Sequence, residues 1–443
     1  MAQFFKPKKH TKTVTKVLTA TVAALDHQAR AVVRGQTRQQ QTRFISGALP
    51  DEVIQFKTDG KHGGLLQRVM SASPERRPPP CQYYQQCGGC DFQHADEAYQ
   101  LRHKQTVVTQ LFNKFGVSAD PLPWQPALLS EPNRYRRRVR LATRWLGKEQ
   151  RLIVGFRAAQ SHQIVPIADC LVADQVLLQV VNTLYPLLNV AAVASQLGHI
   201  EVINVNKPLV LLRLTGRLED TVIAQLRDWQ TTHKVDVWLQ NDTETWSLNP
   251  AATAFDTSID GDKLYFQPGD FLQVNGSVNQ RMVEQAMNWL QPTKTQRVID
   301  FFAGIGNFSL PLARRCKAVV TVEGVARMAQ QTHENAQLNG LDNVTALTAD
   351  LNQITVAELG EAADLWCLDP ARPGAEGVVR LLQKLAPQQR PQKILYVSCA
   401  ADTLARDVAA IEQAGYRLTR IGTVDMFPQT HHIETMVCLE RVA

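Results

Sequence analysis

Val298-Ile299-Asp300-Phe301-Phe302-Ala303-Gly304-Ile305-Gly306-Asn307-Phe308 reads as a buried strand that runs into a glycine-bearing turn and then into a helix over 309–315. Glycine in such a turn lets the chain bend sharply and lets backbone approach a ligand closely. Strand-like runs at 319–323, 365–369 and 394–398 each lead into a helical pattern in the same way. Strand and helix in repetition predict an α/β domain over 271–443, a Rossmann-like parallel sheet with helices on both faces.

Acidic residues fall where the carboxyl edge of that sheet would lie, which is where open α/β sheets bind ligands. Asp300 ends the first strand. Glu323 closes the next, 17 residues beyond Gly306, where a carboxylate can accept both hydroxyls of a ribose. Asp350 follows a strand-like run at 344–347, near the place an adenine would take. A nicotinamide enzyme would share the first strand and the ribose acid, but it usually needs a third glycine so that a pyrophosphate can reach the helix N-terminus. Ser309 occupies that position. S-adenosylmethionine has no pyrophosphate, so the pattern favours a methyl donor over a dinucleotide.

Leu368-Asp369-Pro370-Ala371-Arg372 and Val397-Ser398-Cys399-Ala400-Ala401 end two more expected strands and face the same edge. Carbon 5 of a uracil is too poor a nucleophile to take a sulfonium methyl unaided. A thiolate adding to carbon 6 turns the ring into an enolate with negative charge at carbon 5. Cys399, beside the following helix N-terminus, is the candidate nucleophile, with a lowered pKa as the expectation. Removing the carbon-5 proton needs a base, and Glu434 in His431-His432-Ile433-Glu434-Thr435-Met436-Val437 is the candidate. Asp369 is placed between cofactor and uracil. Cys316, Cys367 and Cys438 read as small buried hydrophobes.

Upstream, short strand-like runs at 14–22, 31–33, 44–45, 53–56 and 65–69 predict a small β-barrel of the OB type over 1–72, a common nucleic-acid platform. Ser73-Pro74-Glu75-Arg76-Arg77-Pro78-Pro79-Pro80 reads as an extended linker outside sheet and helix. The stretch 73–270, with a helix expected over 97–115, has α+β character. A net charge of +7 favours a polyanionic partner. Its lysines gather at Lys6, Lys8, Lys9, Lys12 and Lys16, and its arginines at Arg134, Arg136, Arg137, Arg138 and Arg140. In the second cluster guanidinium groups could hold phosphates while Tyr135 stacks on a base.

Eight cysteines without a signal peptide point to reduced thiols and a cytoplasmic protein. No apolar run reaches the roughly 20 residues that span a bilayer. Cys81, Cys87 and Cys90 crowd together, with Cys170 far downstream. Three thiolates close in sequence and a fourth from afar suit a [4Fe-4S] cluster, which takes one thiolate per iron. Zinc is the competitor, with His94 as its fourth ligand.

Several of these segments resemble motifs of the RNA uracil-5 methyltransferases: Asp300-x-Phe302-x-Gly304-x-Gly306-Asn307-Phe308-Ser309, Gln273-Val274-Asn275, Val322-Glu323-Gly324, Asp369-Pro370-Ala371-Arg372, Ser398-Cys399 and His432-x-Glu434-Thr435. The resemblance implies that Gln273, Phe302, Asn307, Glu323, Asp350 and Asp369 bind S-adenosylmethionine, with Cys399 as nucleophile and Glu434 as proton acceptor. Ala400-Ala401 stands where the family usually has Asn-Pro, and Asp350 where it often has Asn. Within the family the chain is similar to the large-subunit rRNA D group, which carries an iron-sulfur cluster and an N-terminal TRAM barrel; Ser46-Gly47-Ala48-Leu49-Pro50-Asp51-Glu52 resembles that barrel's signature. That likeness favours iron-sulfur over zinc and a uracil of 23S rRNA over one of tRNA. A non-enzymatic RNA-binding protein would have no use for Cys399, Asp369 and Glu434 together. The sequence is silent on oligomeric state, and a monomer is the expectation.

Overall fold

The computed structural model describes residues 16–35 and 41–442. Lys6, Lys8, Lys9 and Lys12 lie outside the described residues. The described residues divide into two compact units, the first made of those up to residue 80 with 90–103 and 429–431, the second of 81–89, 104–428 and those from 432 on.

In the first unit, six strands line up in the order Val17–Thr21, Val53–Asp59, Gly63–Ser71, Arg43–Ile45, Ala31–Val33, Ala24–Leu25. Alternation along Val53–Asp59 sends Ile54 and Phe56 into a core with Ala31, Val33, Ile45 and Ala48, as the two-residue period of a strand requires. Buried Glu52 accepts hydrogen bonds from the backbone N–H groups of Leu49 and Ser73 and from the guanidinium of Arg76. Arg76 also pairs with Ala95 in an isolated antiparallel bridge. The segment 73–80, expected to be an extended linker, is anchored at Arg76, which supplies the counter-charge that a buried carboxylate demands.

The second unit holds two seven-stranded sheets and a small hairpin. The first sheet runs Thr245–Ser247, Asp236–Gln240, Leu209–Leu214, Leu197–Ile203, Arg138–Leu146, Arg151–Arg157, Ile164–Pro166. Helices Gln175–Leu188 and Asp220–His233 supply Leu177, Leu184, Leu226 and Trp229 to the core on one face of it.

The strands of the second sheet are numbered here in chain order: β1 (Arg297–Phe301), β2 (Ala318–Glu323), β3 (Val344–Thr348), β4 (Leu365–Leu368), β5 (Lys393–Ser398), β6 (Tyr416–Val424) and β7 (Glu434–Arg441). They lie in the order β3-β2-β1-β4-β5-β7-β6. Strands β1 to β5 are parallel, as the strand-helix repetition predicts. The sheet is nonetheless mixed, because β7 runs antiparallel to both β5 and β6. No helix separates β6 from β7, so the chain returns directly, and a direct return gives an antiparallel pair. That return inserts β7 between β5 and β6 and brings its first residue, Glu434, to the end of the sheet where Ser398 closes β5.

Candidate active site

The turn after β1 is fixed from several sides. Phe302 adopts a left-handed φ of 62° while its N–H reaches Val322 O at 2.8 Å. Gly304 and Gly306 also have positive φ, and a Cβ on Gly306 would come 2.8 Å from Leu310 Cδ1. Thr332 Oγ1 donates to Gly304 O, and Asn335 Nδ2 to Ile305 O. The Glu323 carboxylate accepts from Gly304 N at 3.0 Å and from Val325 N at 2.9 Å, so backbone aims it at the turn. Asn307 and Asn279 exchange reciprocal amide hydrogen bonds. Gln273 is buried, and its carbonyl accepts from Arg137 Nε at 2.9 Å. Asp350 is exposed and accepts from Asn352 N and Gln353 Nε2.

Asp300 is the buried acid of this edge. Ser309 Oγ donates to its Oδ2 at 2.5 Å, and its Oδ1 has no hydrogen-bond partner among the described residues. Burial pushes its pKa up to about 7, against the hydrogen bonds of Ser309 and Cys367 and with help from the charge of Glu323. Asp369 follows β4 and is likewise pushed up to about 7, by burial and then by Asp300. Glu434, buried at the start of β7, is held well above the usual carboxylate range by burial and by Asp369. Glu434, Asp369, Asp300 and Glu323 thus act on one another in series along this edge, and Glu323 accepts from the glycine turn, an environment that fits a ligand carrying positive charge, as the sulfonium and amine of S-adenosylmethionine do.

Cys399 lies one residue past β5, half-buried. Its thiol is pushed up to about 11, first by burial, then by Glu434 and Asp369, while Arg372 pulls it down. The expectation of a lowered pKa is thus corrected: the helix Ala401–Gln413 does begin beside the thiol, but burial first, and then two acids, outweigh its N-terminus. At Ala400-Ala401 the turn is held by Ser398 Oγ, which bridges the N–H and C=O of Ala400 at 3.1 Å each.

Residues 96–442 match the family model described as tRNA (Uracil-5-)-methyltransferase. The chain is 66% identical to the 23S rRNA (uracil(1939)-C(5))-methyltransferase RlmD of Idiomarina loihiensis, with 100% of both chains covered. It is 41% identical to the protein of the same description from Aeromonas hydrophila, again over 100% of both. The chain belongs to the tRNA (uracil-5-)-methyltransferase family. The crystal structure of Pyrococcus abyssi tRNA (uracil-54, C5)-methyltransferase with S-adenosyl-L-homocysteine shares the fold, at TM-score 0.72 and 19% identity over 95% of this chain and 100% of that one.

Other expected functional residues of this uracil-5-methyltransferase family member fall elsewhere. Arg134 pairs with Asp169, Arg137 with Asp256 through two bonds of 2.7 and 2.6 Å, and Arg138 with buried Glu201. Tyr135 donates its hydroxyl to Pro428 O. Arg137 and Arg138 are therefore internal braces rather than free phosphate ligands, because largely buried carboxylates on neighbouring elements oppose their charges, and Arg134 forms a partly exposed pair with Asp169. Arg140 keeps its side chain 60% exposed, 3.6 Å from Glu201. Among the described residues no group of three or more His, Cys, Asp or Glu is arranged to hold a metal ion. The thiols of Cys87 and Cys170 are pushed up by burial and, further down the order of causes, by Cys81; Cys170 acts on Cys87 as well. Cys87 thus lies within electrostatic reach of Cys81 and Cys170, and Cys170 within reach of Cys81.

Sequence reasoning missed Arg372 as the cation facing Cys399, Thr332 and Asn335 as the pins of the glycine turn, and Asp407, a buried acid on the helix after Cys399. Asp407 had a legible signal: it is a charge among the apolar positions 404, 408 and 411 of one helix face.

Proposed function

We propose that this chain is a 23S rRNA (uracil-C5)-methyltransferase that uses S-adenosylmethionine and serves the uracil numbered 1939 in the names of its relatives. The observation that carries the reading is the convergence of Cys399, Glu434 and Asp369, with Arg372, beside the glycine turn at one sheet edge. When bound, the donor supplies a methyl group on a sulfonium cation. Gln273, Phe302, Asn307, Glu323, Asp350 and Asp369 would hold it. Cys399 Sγ gives its proton to solvent water and forms the bond to carbon 6, and the ring's double-bond electrons move to carbon 5, where they would form the bond to the methyl as the sulfur–methyl bond breaks with its electrons staying on sulfur. Glu434 then takes the carbon-5 proton; the electrons of that C–H bond restore the ring double bond and expel the Cys399 thiolate. Arg372 favours the thiolate at both ends of the sequence. The base must leave its stack to meet Cys399, so a loop or remodelled helix is the substrate.

The same reading assigns residues 1–72 as a TRAM barrel of the OB type, with Lys57, Lys61 and Arg68 exposed on it for RNA, 73–270 as a central domain and 271–443 as the methyltransferase domain. Cys81, Cys87, Cys90 and Cys170 are assigned a [4Fe-4S] cluster on their spacing and on the mutual influence of three of them. Methyl transfer needs no electron, so the cluster's part is structural. Among the described residues no helix is long and apolar enough to cross a membrane; the assignment is a cytoplasmic monomer.

Replacing Glu434 by Gln should trap an RNA-protein adduct, seen as a slow band on a denaturing gel. Absence of the adduct with normal RNA binding overturns the roles of Cys399 and Glu434. Comparing 5-methyluridine in 23S rRNA and in bulk tRNA from cells with and without the chain separates the rRNA substrate from the tRNA one.

A further inference from the structure

Helix Ala401–Gln413 turns Ala401, Leu404, Ala405, Val408 and Ile411 toward the core, and Asp407 lies among these buried residues at 1% exposure. A carboxylate there is costly unless every lone pair is used. Asp407 Oδ2 accepts from Ala375 N at 2.7 Å and from Tyr396 OH at 2.7 Å. Its Oδ1 accepts from Arg406 Nε at 2.8 Å. Tyr396 stands on β5 three residues before Cys399, and Ala375 ends the loop that began with Asp369. Neighbours on the helix grip the same loop: Thr403 Oγ1 donates to Arg372 O at 3.1 Å, and Arg406 Nη2 to Pro373 O at 3.2 Å. Gly374, at φ 84°, passes so near that a Cβ would sit 2.7 Å from Asp407 Oδ2.

We propose that Asp407 is a positioning residue: it fastens the 369–375 loop to the strand and helix that flank Cys399, and so keeps the Arg372 guanidinium where it opposes the acids around the thiol. The inference rests on the proposed function only in taking Cys399 as the nucleophile. The charged groups facing that thiol are Glu434 and Asp369, which disfavour the thiolate, and Arg372, which favours it. The bonds to the helix hold only the far end of the loop, at Arg372 O, Pro373 O and Ala375 N, whereas Asp369 at its near end is bonded through its N–H to Phe301 O at 3.4 Å; freeing the far end removes the one side-chain charge of favourable sign and leaves the acid in place. A carboxylate that served merely as a fold staple would leave the thiol's ionisation where it is.

The test is the pH profile of iodoacetamide alkylation at Cys399 in the full chain, read by mass spectrometry on the peptide that carries it. Asp407→Ala should move the midpoint up by about one pH unit, so that alkylation at a fixed pH below it is about tenfold slower. Asp407→Asn keeps an acceptor for Ala375 N and Tyr396 OH and should restore most of the profile. Thr403→Val removes only the bond to Arg372 O and should move the midpoint the same way by less. A folded Asp407→Ala protein with the wild-type profile overturns the proposal. If Asp407→Ala does not fold, Thr403→Val decides alone, and no upward movement overturns it. The readout needs no RNA turnover, so it fails separately from the adduct experiment with Glu434→Gln.

Discussion

The arginine run at 134–140 and the acidic edge of the second sheet are both dense in charge, yet they handle it oppositely. Arg134, Arg137 and Arg138 each meet a carboxylate from another element at hydrogen-bond distance. Around Cys399, by contrast, Asp369 and Glu434 crowd together with Arg372 as the opposing influence, and the acids hold protons well above their ordinary range. Charges neutralised pairwise hold elements together. Charges left in mutual repulsion inside a protein cost stability and are kept for something that arrives later.

The sharpest way to break that contrast is to remove the group at its chemical end. Cys399→Ser should lower methyl transfer by more than about 10^3-fold, because a hydroxyl is far less readily ionised than a thiol and adds poorly to carbon 6. Its unfolding midpoint should stay within about 0.5 kcal/mol of the parent, since the residue is half-buried and braces nothing. Single-turnover methylation on a 23S rRNA fragment, with a denaturant curve alongside, reads both. A substantial residual rate would mean that another route to carbon 5 exists.

The brace should show the reverse. Arg137→Ala leaves Asp256 with only its bond from Thr257 N, and Gln273 O without the Arg137 donor, in a place where both side chains of the pair are largely buried. The expected loss is about 3–5 kcal/mol of stability, measured by chemical denaturation. Because the same arginine steadies Gln273, the KM for S-adenosylmethionine should rise while kcat on the surviving folded protein changes little.

These two regions were not equally legible in the sequence. Strands β1, β2, β4 and β5 could be read because buried parallel strands are near-continuous apolar runs, and the expected helix over 97–115 matches Glu97–Phe115. The glycine turn and Glu323 were readable for the same reason, since local chain chemistry sets them. The fate of the arginines was not, because Asp169, Glu201 and Asp256 lie 35, 63 and 119 residues away. Nor was the ionisation of Cys399: a helix N-terminus is visible in sequence, whereas the burial that chiefly outweighs it, and the acids that add to it from the end of β4 and from β7, are set by the tertiary fold. The antiparallel return of β6 and β7 escaped because no helical pattern marks it.

A subtler test asks whether the acidic edge really lowers stability. Asp300 has a folded pKa of about 7 against an ordinary value of 3.8. Between those values the folded state holds a proton that the unfolded chain has lost, so its contribution to stability falls as pH rises from about 4 to about 7 and is level above. Asn at this position keeps an acceptor for Ser309 Oγ and cannot ionise. Asp300→Asn should therefore gain ~1 kcal/mol over the parent at about pH 8, less than the full pKa difference because a charge-assisted bond is given up. At about pH 4 the gain should vanish. Denaturation midpoints at the two values that differ by the same amount would show that the carboxylate is neutralised by something else.

The smallest effect belongs to the residue that sits between the two behaviours. Arg140 faces Glu201 Oε2 at 3.6 Å, beyond hydrogen-bond distance, while Arg138 bonds Oε1 at closer range, and the Arg140 side chain stays 60% exposed. As a brace it should be worth less than about 0.5 kcal/mol, so Arg140→Ala should unfold with the parent. As a phosphate ligand it has what its neighbours lack, a guanidinium not consumed by an internal partner at hydrogen-bond distance. If it touches the RNA backbone, the slope of log affinity against log salt should shrink by about one in the Arg140→Ala protein, with the loss uniform across RNA sequences. The salt slope is the discriminating measurement, because a change in affinity at one salt concentration could come from altered folding of either partner. An unchanged slope would extend the bracing role to the whole arginine run and move RNA contact to other surfaces.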